Sequence, residues 1–172
     1  MDISGMTRTG NLILAAVIAA AIAYAAFAIW GPRPAAPQVT FVSLQGEKIT
    51  TASLRGKVVL VNFWATDCAI CIKEMPDITA TYNKYRKQGF ETIAVAMRYD
   101  PPNHVLAYVE NNRLPFTVAL DPMGELAKAF GEVKLTPTTF VIDKQGRVVM
   151  RISGEPDFTR LHRLLEEKLG ES

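Results

Sequence analysis

Residues 58–65, VVLVNFWA, form a nearly continuous apolar run, the pattern of a strand buried on both faces. Such a strand needs packed cover above and below, and the flanking sequence supplies it. Cys71, Met75, Ile78, Tyr82 and Tyr85 recur at spacings of four and three, which predicts a helix over about 69–88 with one apolar stripe. Gly89 is its stop signal, and Pro76 inside it predicts a bend. FETIAVAM (90–97) reads as a second buried strand, 103–112 as a short helix and LPFTVALD (114–121) as a third strand. GELAKAF (124–130) reads as a helix ended by Gly131. TTFVID (138–143) and RVVMRIS (147–153) predict an antiparallel hairpin around KQG, and 157–169 an amphipathic helix with Phe158, Leu161, Leu164, Leu165 and Leu169 inward. Short strands around a Gly46 turn precede all of this, over 39–54. The pattern implies an α/β sandwich with a mixed sheet.

The N-terminal part is different material. Residues 11–30, NLILAAVIAAAIAYAAFAIW, carry no charge. About 20 apolar residues suffice to cross a hydrocarbon core of roughly 30 Å. Tyr24, Phe27 and Trp30 lie toward its C-terminal end, and Trp30 suits a membrane interface. The expectation is a transmembrane anchor over 11–30 behind a short cytoplasmic N-terminus (1–10). A cleaved signal peptide is the alternative, with Ala26-Phe27-Ala28 as a small-x-small site. Arg8 and Arg33 flank the span evenly and encode orientation weakly. GPRPAAP (31–37) reads as an extended, semi-rigid tether, and 38–172 as the folded domain.

Charge excludes one class of function. Setting aside residues 1–33, with Asp2, Arg8 and Arg33, takes the chain's 19 basic and 17 acidic residues to 17 and 16. A domain so close to neutral lacks the field of a nucleic-acid binder, and no nucleic-acid partner is expected. Two cysteines are too few for a disulfide scaffold or a four-cysteine zinc site.

Their spacing carries the chemistry. Cys68-Ala69-Ile70-Cys71 stands where the buried strand gives way to the helix. The first cysteine of such a pair faces the unpaired N–H groups of the helix start, which stabilise a thiolate. Motifs of this kind lower a thiol pKa from about 8.5 toward 7 or below. The second cysteine, one turn on, reaches back to close or resolve a disulfide. Cys68 is thus the expected nucleophile and Cys71 the resolving thiol. A purely structural disulfide, or half of a metal site, are the bland alternatives. His104 and His162 have no ligand spacing and read as helix-surface or cap residues, and Met75, Met97 and Met123 as core fillers. No metal and no cofactor beyond the redox-active Cys68–Cys71 disulfide are expected.

LVNFWATDCAICIKEMP (60–76), together with LTPTTFVIDKQG (135–146), resembles the TlpA/ResA-like membrane-anchored thiol:disulfide oxidoreductases of the thioredoxin-fold superfamily. The resemblance extends from about residue 37 to 169. It implies a thioredoxin fold: a mixed central sheet flanked by helices, with an N-terminal strand extension and a central strand–helix insertion that residues 97–121 can supply. It implies that Cys68 and Cys71 are the redox pair and that Pro137 is the cis proline opposite them. Thr136 would then offer its backbone to an extended substrate segment. Read locally, Pro137 is also compatible with an ordinary trans strand-start proline. Glu74, one turn beyond Cys71, takes a proton-handling role by the resemblance, whereas spacing alone also allows a solvated helix glutamate. Trp64 packs beneath the site and shapes substrate contact.

Two positions depart from the pattern. Asn62 stands where ordinary thioredoxins have a buried aspartate, and Glu74 is the expected substitute. Asp67 stands before Cys68, where the family usually has tryptophan. A charge roughly 6 Å away in a water-like dielectric is worth about 0.7 kcal/mol, or about half a pKa unit on the thiol. The residues between 97 and 116 leave no room for the large helical domain of DsbA-type oxidants, and Thr138 follows Pro137 where cytochrome-c-maturation relatives usually carry an acid.

The expected function is therefore reduction of protein disulfides outside the cytoplasm by a single-pass protein of the cytoplasmic membrane, its C-terminal domain in the periplasm or extracytoplasmic space. Apocytochromes and copper-site proteins are candidate substrates, and a membrane thiol transporter is the expected electron donor. Disulfide oxidase or isomerase activity, or copper delivery through the dithiol, are the alternatives.

Overall fold

A computed structural model describes residues 4–31 and 33–171, with the side chains of 4–9, 11 and 25–30 outside that description. Chain contacts divide it into two units, Met1–Arg33 and Pro34–Ser172. In the first, helix α1 spans Ser4–Trp30. Leu12, Ile13, Leu14, Val17, Ile18, Ile22 and Tyr24 are exposed along it. Among the described residues no helix is long and apolar enough to cross a membrane. Arg8, Phe27 and Trp30, named above as flank and interface residues, have side chains outside the described set.

The second unit has a thioredoxin-like α/β fold. Strands β1 (Thr40–Val42) and β2 (Lys48–Thr50) pair as a small antiparallel sheet across the Gly46 turn, where φ is 81°. The main sheet comprises β3 (Val58–Trp64), β4 (Phe90–Ala96), β5 (Thr117–Leu120), β6 (Thr138–Ile142) and β7 (Val148–Ser153), in the order β5-β4-β3-β6-β7. β3 lies at its centre, parallel to β4 and antiparallel to β6. Every residue of β3 is buried, as its apolar run demands. Helices α2 (Ala69–Tyr85), α3 (Pro102–Asn112), α4 (Glu125–Ala129) and α5 (Phe158–Gly170) complete the unit. α3 and β5 form the expected central insertion.

Alternation along β3 sorts the core into two layers. Val59, Val61 and Phe63 join Phe41, Phe130 and Phe140 on one face. Val58, Leu60 and Trp64 join Met75, Ile78, Leu161 and Leu165 on the other, beneath α2 and α5. Asn62 shares this second parity, so its amide points into the α2 side. That placement governs the site. The stripe on α2 is wider than the apolar residues alone imply: Glu74 and Thr81 are buried with Cys71, Met75, Ile78 and Tyr85, while Tyr82 is half-buried. α2 runs on through Pro76, which is exposed, and a short 3-10 turn carries it to Gly89 in the left-handed region.

The segment expected as an extended, semi-rigid tether divides in two. Its second half docks on the sheet: Ala36 N–H donates to Gly146 O at 2.9 Å, Val148 N–H donates to Pro34 O at 2.9 Å, and Ala36 is buried. Ala35 bridges antiparallel to Arg147 and so covers the start of β7, otherwise an unpaired edge. Two backbone hydrogen bonds and a buried methyl are worth about 1–3 kcal/mol together. A chain beginning at residue 38 is expected to unfold at lower denaturant than one beginning at 34, by about that amount in an equilibrium urea titration.

Candidate active site

The local sequence fixes where the cysteines stand. β3 ends at Trp64, the chain turns through Ala65–Asp67, and Cys68 becomes the N-cap of α2 with extended backbone angles (φ −91°, ψ 102°). Its Sγ accepts a hydrogen bond from Cys71 N–H at 3.2 Å. A helix start thus presents a backbone donor to this sulfur, the arrangement that favours a thiolate when the pair is reduced. Cys68 and Cys71 are joined as a disulfide, with Cα atoms 5.2 Å apart. The two sulfurs differ in access: Cys68 is half-buried and Cys71 is wholly inaccessible.

Asp100 holds the turn that delivers Cys68. Its carboxylate accepts from Thr66 N–H at 2.7 Å and from Thr66 Oγ1 at 2.5 Å, and the residue is buried. Asp100 follows β4, whose exit is tied to β3 by Met97 N–H donating to Trp64 O at 3.0 Å. Hydrogen bonds to a charged group are worth about 1.5–3 kcal/mol each. Asp100→Ala is accordingly expected to lower stability by about 2–4 kcal/mol in urea unfolding.

Beneath the disulfide lies a buried polar pair. Glu74 is one turn from Cys71 on the same face of α2 and has no exposed surface. Asn62 Nδ2 donates to Glu74 Oε1 at 3.0 Å and to Thr139 Oγ1 at 3.0 Å, and Thr139 sits directly opposite Asn62 in the β3–β6 register. Burial pushes the Glu74 carboxyl up; the Asn62 hydrogen bond opposes this, the Glu155 charge adds to it, and the pKa lies at about 7. Oε2 of Glu74 and Oδ1 of Asn62 are buried without a protein partner. An unpaired buried carboxylate oxygen favours the protonated acid, in the same direction. Glu155 itself is held by Lys73, whose Nζ lies 2.9 Å from Oε1.

Trp64 is fully buried, its ring 5.2 Å from that of Tyr108, in the cluster that contains Cys71 and packs against Cys68. The Thr136–Pro137 peptide is cis. Phe63 pairs with Thr138, so Pro137 follows on beside Trp64 at the end of β3 that leads to the cysteines. Pro137 is buried, and Gly154 N–H donates to its carbonyl at 2.8 Å. Thr136 is half-buried, with its Oγ1 3.2 Å from the Tyr99 hydroxyl. The structure therefore gathers Trp64, Cys68, Cys71, Glu74, Thr136 and Pro137 around one end of β3. His104 is exposed on α3, and His162 Nε2 lies 2.8 Å from Thr81 Oγ1 on the far part of α2. Among the described residues no group of three or more His, Cys, Asp or Glu side chains is placed to hold a metal ion.

Sequence reasoning missed Thr139, Asp100, Glu155 and Tyr99. Each meets the site through sheet register or a loop return. Only Asp100 left a trace, as an acid closely following a buried strand.

Comparison with known proteins bears on the fold and the family. The Redoxin family pattern matches residues 33–165. The thiol-disulfide oxidoreductase ResA of Bacillus thuringiensis subsp. konkukian is 39% identical over 132 residues, covering 77% of this chain and 75% of that protein. A Neisseria meningitidis protein solved in solution as a candidate thioredoxin superposes with a TM-score of 0.76 at 37% identity, over 82% of this chain and 93% of that one. A thiol:disulfide interchange protein of Chlorobium tepidum superposes with a TM-score of 0.73 at 30% identity, over 81% and 98%.

Proposed function

The chain belongs to the redoxin family, and from that premise we propose that it is a membrane-tethered thiol:disulfide oxidoreductase that reduces protein disulfides outside the cytoplasm. The observation that carries the reading is the asymmetry of the pair. An accessible Cys68 sulfur accepts a hydrogen bond at a helix start, while Cys71 is sealed above a carboxyl whose pKa lies at about 7.

The Cys68 thiolate attacks one sulfur of a substrate disulfide. A mixed disulfide forms, and the first substrate thiolate leaves and takes up a proton. Cys71 then gives its proton to the Glu74 carboxylate and attacks the Cys68 sulfur. The intramolecular disulfide closes and the second substrate thiolate departs. Two thiols of this protein are oxidised and two substrate sulfurs are reduced, so the disulfide form described here is the product. Thr136 and Pro137 line the approach to Cys68, Trp64 supports the pair from below, and an extended substrate segment lies along Thr136. Exchange with a dithiol of a membrane thiol transporter restores the reduced form.

Direction and place have their own support. The connection from β4 to β5 holds a single 11-residue helix, Pro102–Asn112, and no large helical insert of the oxidant type. The uncharged run 11–30 supports an anchor on the sequence, although the described part of α1 is not by itself long and apolar enough to cross a membrane. A disulfide-exchanging site suits a compartment where disulfides persist, which supports a C-terminal domain outside the cytoplasm. Apocytochromes and copper-site proteins fit as substrates because their cysteines must be reduced before they bind haem or metal.

Equilibration of the purified protein against defined glutathione buffers tests the direction. A midpoint near about −270 mV, the thioredoxin value, is expected; one near about −120 mV, the DsbA value, would reverse the direction.

A further inference from the structure

The structure carries an unused charged groove next to the Pro137 loop. Arg98, Lys128 and Lys134 line a cavity of about 430 Å³ together with Tyr99 and Met123. Among the described residues none of the three cations has a carboxylate within ion-pair distance, whereas Lys57, Lys73, Lys84, Arg147 and Lys168 each do. The single acid on the groove wall is Glu132. This groove is therefore a positive concavity in a domain that is otherwise close to neutral.

One contact joins it to the site and another shapes its wall. The Tyr99 hydroxyl meets Thr136 Oγ1 at 3.2 Å, which joins the groove wall to the residue preceding the cis proline. Arg98 is laid across Gly124, where a Cβ would stand 3.2 Å from its Cδ, so a glycine makes room for the guanidinium stem. The approach is apolar as well as charged: Met123, unlike the buried Met75 and Met97 not a core filler, is 76% exposed, and Leu135 and Tyr99 are 68% and 52% exposed.

Resting on the reductase reading above, the geometry points to a docking groove for an acidic, partly apolar stretch of the substrate protein, a few residues from its disulfide cysteine. An extended segment lying along Thr136 passes Tyr99 and enters the groove. There its carboxylates meet Arg98, Lys128 and Lys134, and its apolar side chains cover Met123 and Leu135. Unpaired cations beside an apolar floor steer and hold such a segment, and would repel a basic one. Asp67, exposed beside Cys68, sets the opposite preference next to the cysteine itself, so the acidic residues are placed away from it.

The test uses the full chain in detergent, reduced, against two decapeptides. Each carries one cysteine as its thiopyridyl mixed disulfide. One has three glutamates, the other three lysines, two to five residues from the cysteine, with both flanks tried. Cys68 attack on the peptide sulfur releases thiopyridone, which is read by absorbance, and Cys71 then releases the peptide thiol. The acidic peptide is expected to react about tenfold faster at low salt, with the ratio shrinking as salt screens the groove beyond about 10 Å. Arg98→Glu with Lys134→Glu is expected to invert the preference, while the reaction with neutral dipyridyl disulfide keeps its rate. If that variant melts early, Arg98→Gln with Lys134→Gln should bring the ratio close to one. Equal rates for both peptides, with dipyridyl disulfide still reduced, would overturn the groove and leave the oxidoreductase reading standing. Inertness toward dipyridyl disulfide would overturn both.

Discussion

Cys71→Ser is expected to stop turnover while leaving the substrate attached to the protein through Cys68, and Cys68→Ser to stop it with nothing attached. The difference follows from access. Cys68 is half-buried and is the sulfur that a backbone N–H faces, whereas Cys71 has no exposed surface. Only the outer sulfur can meet a protein disulfide. Only the inner one lies within 5.2 Å, Cα to Cα, to release the mixed disulfide. Either substitution should lower multiple-turnover reduction of a protein disulfide by on the order of a thousandfold or more, the scale for loss of a nucleophile. Non-reducing electrophoresis separates them, because the trapped adduct is expected with Cys71→Ser alone. An adduct on Cys68→Ser would assign attack to the wrong sulfur.

Glu74→Gln is expected to leave a folded protein with a slow resolving step and an altered stability profile. The carboxyl pKa rises from 4.5 to about 7 on folding, chiefly through burial. Between those values the native protein binds a proton that the unfolded chain has lost. Its contribution is fully present below about pH 4.5 and disappears as pH rises to about 7, a loss of roughly 3 kcal/mol. The glutamine variant has no such loss, so its stability relative to the parent should climb over that window and then level off. Urea unfolding of the oxidised proteins at several pH values checks this. In catalysis the missing base is expected to slow Cys71 attack by about a hundredfold near neutral pH, with first attack by Cys68 largely kept. Stopped-flow release of the second substrate thiol separates the two steps. A glutamine variant that matches the parent in both profiles would reduce Glu74 to a packing residue.

The readable parts of this fold are those in which one short segment settles its own environment. VVLVNFWA reads as a strand buried on both faces, and Cys68 stands at the strand-to-helix junction, where the structure makes it the N-cap of α2. The polar pair below the disulfide is half legible: Asn62 and Glu74 each stand out in the sequence, yet their hydrogen bond depends on strand parity and helix packing across 12 residues. Thr139 joins them through antiparallel register over 77 residues, and Asp100 reaches Thr66 over 34. No local pattern encodes such distances. The cis geometry before Pro137 is legible only through the resemblance, since the local sequence by itself favours a trans strand start. The tether shows the opposite failure. GPRPAAP has the composition of a free spacer, but Pro34–Ala36 found an open β7 edge to pair with.

Alkylation of the freshly reduced protein across pH, with mass mapping of each cysteine, goes straight to the central claim. Cys68 is expected to be modified first and to keep reacting down to about pH 7 or below, with Cys71 protected until the fold is opened. Modification of Cys71 ahead of Cys68, or a Cys68 that titrates like a free thiol near about 8.5, would contradict the account.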